Sequence, residues 1–295
     1  MLRTYRHRGF VLLMVLVVLA IAGSLLGLCA DRTSRRALEA GIAARALQRR
    51  WGVRTLETAC LAQAETILRE GRREDEPPPA VVRLQMVLGG MTFDLVVADE
   101  LAKANVNRIA AGRGTDAVRA GVAALSEGRW VLQVLPRPVE VPTDEVRTPK
   151  TLFVSLEQVF SAVSPAELLG AGAGIDSDAP APGDLLTCWG NGKIHLRRAP
   201  PSVLREALKG VFTEYEVHRL VTLRDEAPEA GLGTLLSRLE LDEKVRSEAE
   251  KWITETSTCH SLWVVARGRT RNWHRLSVRQ QGDAENDAGN WTFEW

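Results

Sequence analysis

Apolar and polar positions divide the chain into stretches with different periods. Phe10 to Cys29 runs without a charged residue. At about 1.5 Å per residue, a helix of that length crosses a bilayer core of about 30 Å. From Asp31 to Arg69 the apolar residues fall at helical spacing, at Leu38, Ile42, Leu47, Trp51, Leu56, Cys60, Ala64 and Ile67, with arginines and glutamates between them. This spacing predicts a continuous helix that turns amphipathic beyond the apolar run, with Gly41 and Gly52 inside it. The period then drops to two. After a linker from Arg72 to Ala80 holding Pro77-Pro78-Pro79, Leu84, Met86 and Leu88 alternate with polar neighbours. Gly89-Gly90 follows, then Phe93, Leu95 and Val97 alternate again, which predicts an antiparallel hairpin.

Beyond the hairpin the pattern is mostly helical. Thr115 to Gly128 reads as an alanine-rich helix, Trp130 to Leu135 as a short strand, and Pro136 to Pro149 as a proline-punctuated loop. Ser155-x-x-Gln158 and Ser164-Pro165-x-Glu167 have the form of helix-opening capping boxes. Gly170 to Gly183 is a Gly/Ala/Asp/Pro loop. Further helices are predicted at Ser202–Lys209, Thr213–Asp225, Thr234–Leu241 and Asp242–Thr254. His260 to Ala266, Trp273 to Gln280 and Trp291 to Trp295 return to strand patterning. The order is helix, hairpin, helical block, strands. It predicts an α+β fold: a long N-terminal helix packed on a small antiparallel sheet, with an inserted helical domain. The expected divisions are 1–9, a basic leader; 10–29, a transmembrane helix; 30–98, helix and first hairpin; 99–256, the inserted helical domain; and 257–295, the strands that complete the sheet.

Composition narrows the function. Of the 295 residues 45% are hydrophobic and 25% charged, with a formal net charge of +1, so no global field recruits nucleic acid. No HExxH, GxSxG, P-loop or dinucleotide-binding glycine pattern occurs, and the five histidines do not cluster with cysteines. A non-enzymatic role is expected. Cys29, Cys60, Cys188 and Cys259 have no metal-ligand spacing. A Cys188–Cys259 disulfide and buried free thiols are both open. His195 alternates with Ile194 and Leu196 and is expected to be structural.

Arg3, Arg6 and Arg8 precede the apolar run and no acid does, which places the N-terminus in the cytoplasm and the rest across the membrane. No later segment is long and apolar enough to span again. Leu28 before Cys29 argues against a lipoprotein signal. Ala20-Ile21-Ala22 has the small-x-small form of a signal-peptidase site, but the apolar run continues through Leu25, Leu26 and Leu28. A cut between Gly9 and Phe10 leaves a short basic leader, then Gly-Phe, then the apolar helix. That layout resembles type IV prepilins and type II secretion pseudopilins. The resemblance implies processing by a prepilin peptidase at Gly9 and Phe10. Major members of that superfamily carry Glu at the fifth mature position, where this chain has Met14. The absence points to the minor pseudopilin of the general secretion pathway K type, or to a plain membrane anchor. Gly23 and Gly27 have small-xxx-small spacing, suited to close helix packing and equally to ordinary glycines of a membrane helix.

Two internal segments extend the resemblance. Leu101-Ala-Lys-Ala-Asn105-Val-Asn107 resembles the Lys-Ile-Asn-Leu-Asn element of K-type pseudopilins. Lys193-Ile-His195-Leu-Arg197-Arg198-Ala199-Pro200 resembles that family's Lys-Ile-Asn-Leu-Asn-Thr-Ala-Pro, followed by a helix holding Val203-Leu204. Cys259-His-Ser-Leu-Trp-Val-Val-Ala-Arg is similar to its late strand. His195, Arg197 and Arg198 stand where the family has Asn, Asn and Thr, side chains that fix the turn or cap the helix. Pro200 and Pro201 are expected to take over that work. The likeness implies a pilin-like fold at the tip of a periplasmic pseudopilus. It implies other minor and major pseudopilins, a prepilin peptidase, the inner-membrane assembly platform and secreted cargo as partners. Some K-type members bind Ca²⁺, and Asp176, Asp178 and Asp184 in the Gly/Asp loop offer oxygen ligands without EF-hand spacing. The Asn-x-Asn-Thr-Ala element also occurs in helix-hairpin-helix DNA binders. Here the hairpin Lys209-Gly210-Val211 has one glycine and is followed by many carboxylates, so nucleic acid is not expected as a partner. A single-pass periplasmic scaffold unrelated to secretion is the main rival.

Overall fold

The computed structural model describes residues 5–72, 77–130, 132–136, 152–160, 163–170, 180–268, 271–282 and 289–295. The chain divides into two units, Met1–Gly52 and Val53–Trp295. Helix α1 (Tyr5–Ala62) supplies the described structure of the first unit, and its last turns belong to the second. In the second unit follow α2 (Ala64–Glu70), β1 (Val81–Leu88), β2 (Met91–Asp99), β3 (Ala104–Asn105), α3 (Val106–Arg113) and α4 (Thr115–Ser126). Next come α5 (Pro165–Leu168), α6 (Pro182–Leu185), β4 (Leu186–Thr187), β5 (Ile194–His195), α7 (Pro201–Ala207) and α8 (Glu214–Glu226). The chain closes with α9 (Leu232–Arg238), α10 (Glu243–Trp252), β6 (Ile253–Thr254), β7 (Cys259–Ala266), β8 (Trp273–Gln280) and β9 (Gly289–Glu294).

One antiparallel sheet of five strands, in the order β1-β2-β7-β8-β9, organises the second unit. The β1–β2 hairpin turns at Gly89 (φ 57°) and Gly90 (φ 79°), the positive angles a tight two-residue turn requires. Its register pairs Leu84 with Leu95 and Met86 with Phe93, so the predicted alternation places these residues on one face. On that face Phe93, Leu95, Val97, Leu262, Val264 and Ala266 pack against Val53, Leu56, Cys60, Ala64 and Leu68 of α1 and α2. On the other face Val96, Trp263, Val265, Leu276 and Val278 join the core of the helical block. β7 is therefore buried at every position, and burial of each large side chain contributes about 1.5–3 kcal/mol. The architecture is α+β, helix on antiparallel sheet, with the residues between β2 and β7 folded mainly as helices.

Three details depart from the patterning. The helix predicted to run unbroken to Arg69 is interrupted at Gln63, not at either glycine: the Gln63 N–H bonds the Cys60 carbonyl, three residues back, and α2 begins at Ala64. Among the described residues of Trp130–Leu135 no strand forms. Val134 sits at φ 45°, which a strand cannot continue through, and the N–H groups of Gln133, Val134 and Leu135 bond the carbonyls of Val159 and Gln158. An isolated bridge from Leu132 to Phe160 is its sheet-like contact. The four cysteines are free thiols, so Cys188 and Cys259 do not form the disulfide that the sequence left open. Burial raises both thiols well above the ordinary cysteine pKa, which leaves them inert. The predicted loop at Pro136–Pro149 lies mostly outside the described residues.

Candidate functional site

Within the first unit, the functional candidate is the apolar run of α1. From Phe10 to Leu28 its large apolar side chains are exposed, from 48% at Val15 to 71% at Leu26. Such a helix is long and apolar enough to cross a membrane. Met14 occupies the position where a carboxylate was looked for and is itself exposed. A Cβ added at Gly23 or Gly27 would meet nothing within 4 Å, so no contact inside this chain requires glycine there. The side chains at Gly9 and before lie outside the described residues.

In the second unit the two motif segments are connectors. Asn105 ends β3 and caps α3: its Oδ1 accepts from the Arg108 N–H (3.0 Å), while its Nδ2 donates to the Trp189 carbonyl (2.7 Å). Asn107 donates to the carbonyls of Phe153 and Cys188 (both 2.8 Å) and accepts from the Phe153 N–H (2.8 Å). Together the two amides tie three distant segments together.

His195 does in the second motif what Asn105 does in the first. Its Nδ1 accepts from the Arg198 N–H three residues on (3.2 Å), and its Nε2 bonds the Glu255 carbonyl (2.9 Å). A ring that accepts at Nδ1 and donates at Nε2 is neutral. Burial, the largest influence, holds its pKa below the ordinary histidine value. The turn is thus held by His195 as well as by the two prolines expected to do more of that work. Pro200 precedes α7, Pro201 opens it, and Ala199 is buried beneath.

The two arginines after His195 face inward. The Arg197 guanidinium bonds the carbonyls of Arg224, Ala227 and Ala230, fastening the segment after α8. Arg198 forms a fork with Glu65 of α2 (2.6 and 2.8 Å) and reaches Asp99 at the end of β2 (3.2 Å). Asp99 is fully buried; it also accepts from the Leu101 N–H (2.9 Å) and the Ser257 hydroxyl (2.5 Å). The hydrogen bond from Arg198 holds the Glu65 carboxyl below its ordinary pKa. Arg198 is the keystone: one side chain links α2, the sheet and the turn into α7. Arg224 supports that turn from α8, donating to the carbonyls of Leu196 and Ala199 (3.1 and 2.8 Å). A second polar clamp joins α1 to β8, where Glu57 accepts from Arg275 (2.7 and 3.0 Å) and from Ser277. A third is the buried pair of Lys103 and Glu100 (2.5 Å).

Lys193 lies on the surface between Gly192 and β5, its N–H bonded to the Asn191 side chain (3.0 Å). The three aspartates weighed for Ca²⁺ are not brought together among the described residues. Asp184 is taken by Arg83 (2.8 Å) and by the Ala181 N–H (3.0 Å), and Asp176 and Asp178 lie outside the described residues. Among the described residues no group of three or more His, Cys, Asp or Glu is arranged to hold a metal. Glu57, Glu65 and Asp99 were not singled out by sequence reasoning. The available signal was an acid at the end of an apolar strand (Asp99) and two acids spaced eight apart on a helix that otherwise faces a core (Glu57, Glu65).

No protein-family model matches this chain, and no curated protein does. Among solved structures it is similar to a chain in the crystal structure of the GspK–GspI–GspJ complex from the type 2 secretion system of enterotoxigenic Escherichia coli. The identity is 12%, the match covers 86% of this chain and 99% of that chain, and the TM-score is 0.44. At those values the likeness decides nothing about function.

Proposed function

We propose that this protein is a membrane-anchored, non-catalytic subunit of a pilin-like assembly: a minor pseudopilin of a type II secretion system, similar to the K type. The observation that carries the reading is the order of parts along α1. A short basic leader is followed by a charge-free run of membrane length, and the same helix ends packed on an antiparallel sheet. A prepilin peptidase removes residues 1–9 and leaves Phe10 as the mature N-terminus. The apolar helix holds the subunit in the inner membrane until assembly, with the second unit in the periplasm. Met14 offers no carboxylate to pair with a neighbouring subunit's amine, which suits a subunit that starts or caps the filament. The helical block between β2 and β7 would obstruct a subunit stacked above it, and this also suits the tip.

Arginines flank the apolar run on both sides: Arg3, Arg6 and Arg8 before it, and Arg32, Arg35, Arg36, Arg45, Arg49 and Arg50 after it. Charge bias therefore does not set the orientation alone, and the periplasmic placement rests also on the prepilin-like layout of the first 29 residues. Arg197 and Arg198 are committed to internal partners and are not displayed for a phosphate backbone, which supports the reading without nucleic acid.

The test is co-expression of the full-length chain with the other minor pseudopilins of its own secretion system, followed by mild detergent extraction. The proposal predicts a discrete complex of defined stoichiometry that incorporates this chain. A chain that leaves the membrane alone, while the other minor pseudopilins still assemble, would establish the rival periplasmic scaffold.

A further inference from the structure

We infer that His195 makes the joint between the helical block and the helix–sheet layer sensitive to acid, whereas the matching joint at Asn105 is not. The two side chains make the same pair of contacts: each accepts an N–H three residues on and donates to a carbonyl of a distant segment. An amide offers that acceptor and donor at any pH. An imidazole offers them only when neutral, because a second proton goes onto Nδ1, the atom that accepts from Arg198. Protonation thus sets two N–H groups against each other where a hydrogen bond stood.

The surroundings decide whether the fold tolerates the charge. From β2, the Asp99 carboxylate lies 3.9 Å from Nδ1, and among the described residues it is the acid placed to receive the new N–H. Its oxygens already serve Leu101, Ser257 and the Arg198 guanidinium. From α2, Glu65 is bound by Arg198, and from β7, His260 lies 3.4 Å from that same carboxylate. Arg198 itself adds a positive charge beside the ring, and Arg197 is turned away toward Glu255 (3.5 Å). At 3.9 Å a protonated His195 reaches Asp99 Oδ2 only by shifting the ring, and it then shares that oxygen with the Arg198 guanidinium already bound there. The loss falls on the turn that carries the keystone, so acid loosens His195–Ala199 from Glu255 and Arg198 from α2 together. The joint is closed above the imidazole range and opens below it, while the Glu65 carboxylate is still ionised.

The experiment is peptide-resolved hydrogen exchange on the full-length protein in detergent, corrected for the intrinsic pH dependence of exchange. It compares the wild type with His195→Asn, which restores the Asn105 chemistry. In the wild type, exchange at the amides of Arg198 and Ala199 accelerates by up to about tenfold for each pH unit below the ordinary imidazole pKa. The same amides in His195→Asn show no such acceleration, and those around Asn105 and Arg108 show none in either protein. Equal acceleration in both proteins, or none in the wild type, overturns the inference. Should His195→Asn fail to fold, the wild type still decides. Exchange of the ring C2 proton of His195 must report a pKa below the ordinary value, and one at or above it overturns the inference.

Discussion

Two apolar stretches near the start of the chain have opposite surroundings. Between Phe10 and Leu28 nearly every residue is apolar, and the large side chains are exposed on all sides. Between Val53 and Leu68 polar and charged residues interrupt the apolar ones, and Val53, Leu56, Cys60, Ala64 and Leu68 are each no more than 6% exposed. The polar groups differ in the same way. Ser24 satisfies its hydroxyl within the helix, on the Ala20 carbonyl (2.8 Å). Glu57 and Glu65 reach outward to Arg275, Ser277 and Arg198. The first stretch keeps its hydrogen bonds to itself, as a helix must in hydrocarbon; the second makes contacts that only a protein partner supplies. Apolar content marks the exposed stretch, which is suited to lipid, and apolar spacing marks the protein-facing one.

Substitutions sharpen that contrast. The largest effect is expected at the keystone. Arg198→Ala strands the fully buried Asp99 and should lower the stability of the second unit by about 3–5 kcal/mol, read as a shift in the denaturant midpoint. Next, one substitution made in both stretches separates them. Leu68→Ala should cost about 2–5 kcal/mol in the same measurement. Leu19→Ala should leave that midpoint where it is, since Leu19 touches no core. Conversely, Val17→Arg places a charge mid-run at a cost of about 2.5–3.5 kcal/mol to membrane insertion, read by alkaline extraction, with the midpoint unchanged.

The smallest effect is that of pH. Burial holds His195 and His274 below the ordinary value of 6.5, so below it the unfolded chain binds more protons than the folded one. Their contribution to stability is complete above that value and declines as pH falls through the folded-state pKa values. Glu65, kept low by its hydrogen bond from Arg198, adds its own loss only below 4.5. A midpoint that holds constant or rises between about pH 7 and about pH 5 would contradict this sign. His195→Asn should recover part of the decline.

Much of this was legible in the amino-acid pattern because its causes are local. Gly89-Gly90 between alternating runs sets a hairpin whose register follows from the turn. Ser164-Pro165-x-Glu167 opens a helix with both halves of its capping box made. The exposed apolar helix is legible from its length and the absence of charge. Long-range pairings were not. Arg198 and Glu65 lie 133 positions apart, and nothing near either announces the other. In the sequence Arg197 and Arg198 read as departures at a turn. In the fold they face inward, and His195 makes with its ring the contacts that Asn105 makes with its amide. The break at Gln63 and the left-handed Val134 also escaped, because neither residue type favours the geometry it adopts.

The central claim is that α1 is a processed pilin-type anchor carrying a folded unit. The most direct measurement is the intact mass of the protein purified from membranes, with and without an active prepilin peptidase. The account predicts a peptidase-dependent mature chain beginning at Phe10. A chain that keeps Met1 in both preparations, or one that begins at Gly23, would contradict it.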